Sequence, residues 1–150
     1  MQQPHNIAVI GAGPTGLMAA ETLARAGCHV TLYDHMPTPA RKFLIAGRGG
    51  LNLTHSEPLE TFITRYGTAA NWLAPSLRAY TPGALRDWCE SLGQETFIGS
   101  SGRIFPRSMK AAPLLRAWLG RLESLGVTYY PRHQWQGWHE NALHLIDADG

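Results

Sequence analysis

The sequence predicts an α/β fold, a parallel sheet with helices on its faces, and three features carry that expectation. A β-branched run from Ile7 to Ile10 enters the turn Gly11-Ala12-Gly13-Pro14-Thr15-Gly16. Leu17, Ala20, Leu23 and Ala24 then recur at helical spacing, and a second strand-like run from His29 to Tyr33 stops at Asp34. Strand, helix and strand within about thirty residues form a βαβ unit, which takes a right-handed crossover.

Each element follows from local chemistry. The continuous apolar run Ile7–Ile10 suits a strand covered on both faces. Gly27 stands where the first helix needs a C-terminal cap. From Met36 to Thr54 the chain is dense in Gly, Pro and basic residues with no sustained period, which reads as a long functional loop. Ser56 is placed to cap a helix running to about Tyr66, stopped by Gly67; a second helix is expected at Asn71 to Ala79 and a third from Thr81-Pro82 to before Gly93. Glu95–Ile98 and Arg103–Phe105 flank Gly99-Ser100-Ser101-Gly102 as a hairpin. An amphipathic helix follows at Ala111 to Leu125, and Val127 to Tyr130 reads as a parallel strand returning to the first sheet. The remainder alternates through Trp135, Trp138, Leu143 and Leu145 up to Asp149-Gly150, a strong turn signal. A chain stopping on that turn has lost the partner strand, so the sequence reads as a truncated, N-terminal portion of a longer chain, with a frayed natural C-terminus as the plainer alternative. The expected segments are 1–54 (βαβ and glycine-rich loop), 55–110 (helical insertion and hairpin) and 111–150 (helix and returning strands).

Composition narrows the function. At 150 residues, 44% hydrophobic and 16% charged, the chain has an ordinary globular mixture able to bury a core. Its 13 basic and 11 acidic residues are spread without long runs, which argues against a nucleic-acid partner. Two cysteines, Cys28 and Cys89, form no CxxC pair and no zinc-ligand array; two ordinary thiols fit a reducing cytoplasm. The stretch from Ile7 to Ala20 lacks a basic start and is broken by glycines and Pro14, so neither a signal peptide nor a membrane span is expected.

The motif that carries chemistry is GxGxxG. Gly11 makes the tight turn out of the strand, Gly13 lets backbone approach a pyrophosphate, and Gly16 lets helix and strand pack closely. The pyrophosphate then rests on the helix N-terminus, against the turn Ala12, Gly13, Pro14, Thr15 and Gly16, where free N–H groups and the macrodipole favour negative charge. Asp34 is suited to accept hydrogen bonds from a ribose diol and to repel a 2′-phosphate. FAD and NAD share this fingerprint, so the motif alone does not choose between them.

A resemblance makes the choice. The GAGP form of the loop and its position near the start of the chain resemble flavoproteins with the glutathione-reductase type of FAD domain. The segment from Arg41 to Thr54, RKFLIAGRGGLNLT, is similar to the RK-x-L-x-(S/A)-G-x-G-(K/R/G)-x-N-x-T stretch of the BaiN-like (YhiN-like) NAD(P)/FAD-dependent oxidoreductases. Ser101-Gly102-Arg103-Ile104-Phe105-Pro106 with Lys110-Ala111 is similar to a second stretch of that family, and the GRGGLNLTHSE and ETFIGSSGR forms look most like an uncharacterised subfamily. The resemblance implies a Rossmann-like FAD domain assembled from discontinuous segments, a substrate domain that this portion lacks, FAD as cofactor with NAD(P)H as a possible electron donor, and a small-molecule substrate. It names neither the substrate, a catalytic residue nor the oligomeric state, and this portion alone is expected to be inactive.

Within that frame, further residues become candidates, each beside a plainer alternative. Arg41 and Lys42 can flank the adenosine end or reach phosphate, or form a solvated basic turn. Gly47, Gly49 and Gly50 can bring backbone amides to the flavin or pyrophosphate and Asn52 can hydrogen-bond a ring edge, or the segment is a flexible loop. Arg48 can stand near the flavin N1/C2 region or face solvent. His55 can move protons, though the start of a helix is the favoured reading. Arg103, Arg107 and Lys110 suggest an anionic ligand or an exposed hairpin end. Trp118, Trp135 and Trp138 read as core or interdomain packing. Two rival functions stay open: an NAD-dependent dehydrogenase, and a nucleotide-binding module without redox activity.

Overall fold

A computed structural model of the chain describes residues 4–46 and 49–147. The fold resolves into two compact units, residues 1–45 with 118–150, and residues 46–117.

The first unit is the βαβ core. Strand β1 (Asn6–Ile10) pairs in parallel with β2 (His29–Asp34), with Ile10 opposite Tyr33, and β2 pairs in parallel with β6 (Thr128–Pro131), with Asp34 opposite Pro131. The order β1-β2-β6 makes β2 central. The returning strand is thus parallel, as its sequence predicts. Helix α1 (Pro14–Arg25) joins β1 to β2, and its Leu17 and Ala20 are fully buried with Val30 and Leu32 of β2. Leu17 and Leu32 each contribute roughly 1.5–3 kcal/mol by leaving water. Helix α6 (Ala111–Ser124) sends its C-terminal half, from Trp118, into this unit.

A buried carboxylate ties α6 to α1. Glu21 accepts from the Trp118 indole Nε1 at 2.8 Å, from Arg121 at 3.2 Å and from Arg25 at 3.0 Å. A buried carboxylate is tolerated only with such partners. Trp118 is core, as its sequence context suggests.

Three features of this unit differ from what the sequence predicts. β1 is not covered on both faces: its residues alternate between exposed and half-buried, because it lies at an edge of the described sheet. The stretch after β2 is not all loop, since Arg41–Ala46 forms a short helix, α2. The last strand has a partner: β7 (Gln134–His139) and β8 (Ala142–Ile146) form a hairpin turning at Glu140 and Asn141, both at positive φ (47° and 63°). Two left-handed residues make the primed turn that matches strand twist. The Asp149-Gly150 turn, on which the expectation of a missing partner strand rests, lies outside the described residues.

The second unit begins at Ala46, the last residue of α2. Strands β3 (Thr54–His55), β4 (Thr96–Ile98) and β5 (Arg103–Pro106) form an antiparallel sheet of order β3-β5-β4, so the predicted hairpin around Gly99–Gly102 is present. Helices α3 (Leu59–Thr64), α4 (Ala70–Ala79) and α5 (Pro82–Ser91) fill the insertion. Thr81 caps α5, accepting from the Ala84 amide at 3.1 Å. Ser56 does not cap α3: its amide donates to Gly102 C=O at 2.9 Å, and Pro58 precedes the helix. No described helix is long and apolar enough to cross a membrane.

Candidate functional site

The first unit gathers most of the motif residues around one hollow of about 400 Å³, lined by Ala12, Gly13, Pro14, Asp34, His35, Met36, Thr38, Ala40, Arg41, Lys42 and Ile45. The connection of β1 to α1 puts the glycine turn on one side, and the exit from β2 puts Asp34 and the strap of residues 35–40 on the other.

The second and third glycines of the motif work differently. A Cβ on Gly16 would lie 1.8 Å from the Gly11 carbonyl oxygen, so close packing of helix against turn requires glycine there. A Cβ on Gly13 would meet nothing within 4 Å: that position is open, as an approach path for a ligand must be. α1 starts with Gly13 at its N-cap, no side-chain cap bond and no acidic residue in the first turn. Twelve residues of aligned peptide dipoles therefore end in free amides beside the hollow.

Asp34 is buried, and both carboxylate oxygens are in use. Oδ2 accepts from the Ala12 amide at 2.5 Å and Oδ1 from the Met36 amide at 2.7 Å, while the exposed His35 places Nδ1 3.5 Å from Oδ1. Each oxygen keeps further acceptor capacity for a hydroxyl donor. Arg41 and Lys42 sit exposed on the first turn of α2 with their side chains lining the hollow. A smaller hollow of about 280 Å³ adjoins Asp34, lined by Ile10, Gly11, His35, His133, Gln134 and Trp135. Sequence reasoning missed His35 and His133; the available signal was that His35 directly follows the acid. Trp135 is half exposed in this hollow and Trp138 lies on the surface, so neither packs in the core of the described chain.

A larger open hollow of about 710 Å³ runs along the outer face of α1 (Pro14, Thr15, Met18, Ala19, Thr22 and Leu23). It presents no charged side chain, so size does not select the site.

The remaining candidates belong to the second unit or lie outside the described residues. Gly47 and Arg48 fall in the latter group. Gly50 has φ +111°, and a Cβ there would come 2.8 Å from Met109 Cε, with Phe105 behind it; Leu51 donates to Met109 C=O at 2.9 Å. The positive φ by itself calls for glycine at this position. Gly49 and Asn52 are exposed, and a Cβ on Gly49 would be unobstructed.

His55 is a strand residue, not a helix start. Its Nδ1 accepts from the Glu57 amide at 3.1 Å, which leaves Nε2 to donate to Ser101 C=O at 3.0 Å. A ring engaged at both nitrogens is a brace, not a free base. Arg65 holds the Glu57 carboxyl below its usual range through their hydrogen bonds. Of the second basic cluster, Arg107 is paired with Glu95 at 2.9 Å.

With this geometry in hand, comparison with known proteins gives the following. The family of the HI0933-like protein Rossmann domain matches residues 5–149. Among solved structures, the chain is similar to the open conformation of a flavocytochrome c3 fumarate reductase (TM-score 0.62, 18% identity, 89% of this chain and 28% of that one). It is also similar to THI4 of Thermovibrio ammonificans (TM-score 0.57, 14% identity, 95% and 45%) and to 3-ketosteroid-delta4-(5alpha)-dehydrogenase from Rhodococcus jostii RHA1 (TM-score 0.55, 14% identity, 91% and 40%). At such identities the likeness is one of fold. A curated relative, kynurenine 3-monooxygenase of Mycosarcoma maydis, is 47% identical over 38 residues, which are 25% of this chain and 6% of that protein. The chain spans less than half the length of each of these proteins.

Proposed function

Because the chain belongs to the HI0933-like family, whose Rossmann domain covers almost all of it, we propose that it is the FAD-binding portion of a flavin-dependent oxidoreductase acting on a small molecule. The single observation that carries this reading is one hollow bringing together an open Gly13, the uncapped N-terminus of α1, the buried Asp34 and the cationic pair Arg41 and Lys42. That set suits an ADP moiety: anionic pyrophosphate on the helix amides and the two cations, ribose hydroxyls on Asp34. The adjoining hollow with His35, His133 and Trp135 offers faces on which an adenine ring can stack. FAD, when bound, supplies hydride or electron chemistry, and this chain's residues hold and orient its nucleotide half. NAD(P)H as donor and a cytoplasmic setting complete the proposal.

The reading is tested by the visible absorbance spectrum of the purified protein, followed by release and identification of its nucleotide. Yellow protein releasing FAD supports it. Colourless protein that saturates with NADH moves the assignment to an NAD-dependent dehydrogenase, which the same glycine turn and Asp34 also serve.

A further inference from the structure

The carboxylate of Asp34 is committed before any ligand arrives. It joins the glycine turn, through the Ala12 amide, to the β2 exit, through the Met36 amide. Ala12 is fully buried, and its carbonyl accepts from the Ala40 amide at 2.8 Å. Ala40 is a non-glycine residue held at φ +52°, and its own carbonyl accepts from the Leu44 amide at 3.1 Å, so it heads α2, the helix that carries Arg41 and Lys42. The contacts close a ring from the turn to Asp34, along the strap to Ala40, and back to the turn. Both backbone groups of Ala12, the second residue of the GxGxxG motif, are spent inside it.

We infer that Asp34 is a positioning residue for the phosphate-binding turn and the strap opposite it, and not only a partner for ribose; this rests on the dinucleotide reading above. The two backbone donors reach different oxygens of the one side chain, so both of its terminal positions must accept, and a carboxylate meets that need. An Asn at this position has one acceptor, and its NH2 would face a buried N–H donor. Leaving such a donor unsatisfied is costly enough to displace the turn. The pyrophosphate end of the ligand therefore depends on Asp34, although the carboxylate does not touch it.

The test uses ADP and 2′,3′-dideoxy-ADP as probes, with the unsubstituted chain and Asp34→Asn. A residue that only holds ribose would, when substituted, weaken ADP and leave the dideoxy compound unchanged. A positioning residue weakens both, by about tenfold or more. A ligand-free readout stands beside it: in the unsubstituted chain, the amide nitrogen of Ala12 should show scalar coupling across the hydrogen bond to the Asp34 carboxyl carbon. In Asp34→Asn, the Ala12 and Met36 amides should shift and lose exchange protection while the β1 amides stay protected. An unchanged dideoxy-ADP affinity, or no coupling at Ala12, overturns the inference. If the unsubstituted chain binds neither nucleotide, the dinucleotide reading fails while the coupling still decides the role of Asp34; if Asp34→Asn does not fold, the coupling decides it alone.

Discussion

Two glycine-rich stretches invite the same reading in the sequence and behave differently in the structure. In the first unit, Gly16 is closed by the Gly11 carbonyl and Gly13 opens onto a hollow. In the second unit, the absent side chains at Gly50 and Gly102 are replaced by the protein itself: Met109 fills the first, and the His55 ring lies 2.6 Å from where a Cβ on Gly102 would be. Both also sit at positive φ, +111° and +80°, which is reason enough for glycine. Glycine density points to a ligand only where the Cβ direction is free and donors converge on it. By that criterion the first stretch qualifies at Gly13, whereas the backbone conformation at Gly50 calls for glycine with or without a ligand.

The largest effect that can break this contrast is at Gly16. Gly16→Ala places a methyl inside van der Waals contact with a backbone carbonyl that has no side-chain freedom to yield, so we expect a loss above ~4 kcal/mol and no nucleotide binding. Chemical denaturation reads it; a variant as stable as the parent would remove the close-packing account. Gly13→Val should separate what Gly16→Ala confounds. Its side chain enters open space, so the melting temperature should stay near that of the parent, while affinity for ADP falls by about a hundredfold, some 3 kcal/mol. Retained affinity would sink the pyrophosphate assignment.

The second unit answers with a smaller, purely structural effect. Gly102→Ala forces a side chain into the left-handed region and against a ring pinned at both nitrogens, at a cost of about 2 kcal/mol. In a His55→Ala background the same substitution should cost about 1 kcal/mol less, a coupling that a double-mutant cycle measures directly. Nucleotide affinity per folded molecule should not move in either background. A fall in affinity would make His55 and Gly102 part of the ligand site and erase the contrast.

How far the sequence speaks depends on the range of the interaction. The βαβ unit was legible because Leu17, Ala20 and Gly27 announce a helix and its end locally, and Val30, Leu32 and Asp34 announce a strand in the same way. Asp34 was legible as a polar residue at the right place, but its ring of backbone partners was not, because Ala12 and Ala40 carry no side-chain signal of what their amide and carbonyl groups bond. The helix Arg41–Ala46 was hidden by the Gly and Pro residues around it, and the turn at Glu140 by the absence of glycine from a position at φ 47°. His55 shows the limit most sharply. One side of its ring is fixed locally by the Glu57 amide, but the other is fixed by Ser101, which lies across a strand pairing and the whole helical insertion, and no local pattern reports a contact of that kind.

A further expected effect gives the second unit a pH signature of its own. Cys89 on α5 is fully buried, and burial, aided by the neighbouring Glu90 charge, pushes its thiol up from an ordinary 9.0 to about 11. The folded state then holds the thiol proton through a range in which the unfolded chain has already released it. Stability from this group is fully present below pH 9 and falls as pH rises towards 11, because the unfolded state gains by ionising while the folded state does not. One pKa unit corresponds to about 1.4 kcal/mol, so the loss across that window is at most ~2–3 kcal/mol. Cys89→Ala should lower stability at neutral pH, through the small cavity it leaves, yet flatten this alkaline decline. The difference between the two denaturation profiles isolates the thiol from the lysines and tyrosines that titrate in the same range. Parallel profiles would mean that Cys89 ionises in the folded protein as readily as in the unfolded chain, and that the α5 side of the second unit is open to water.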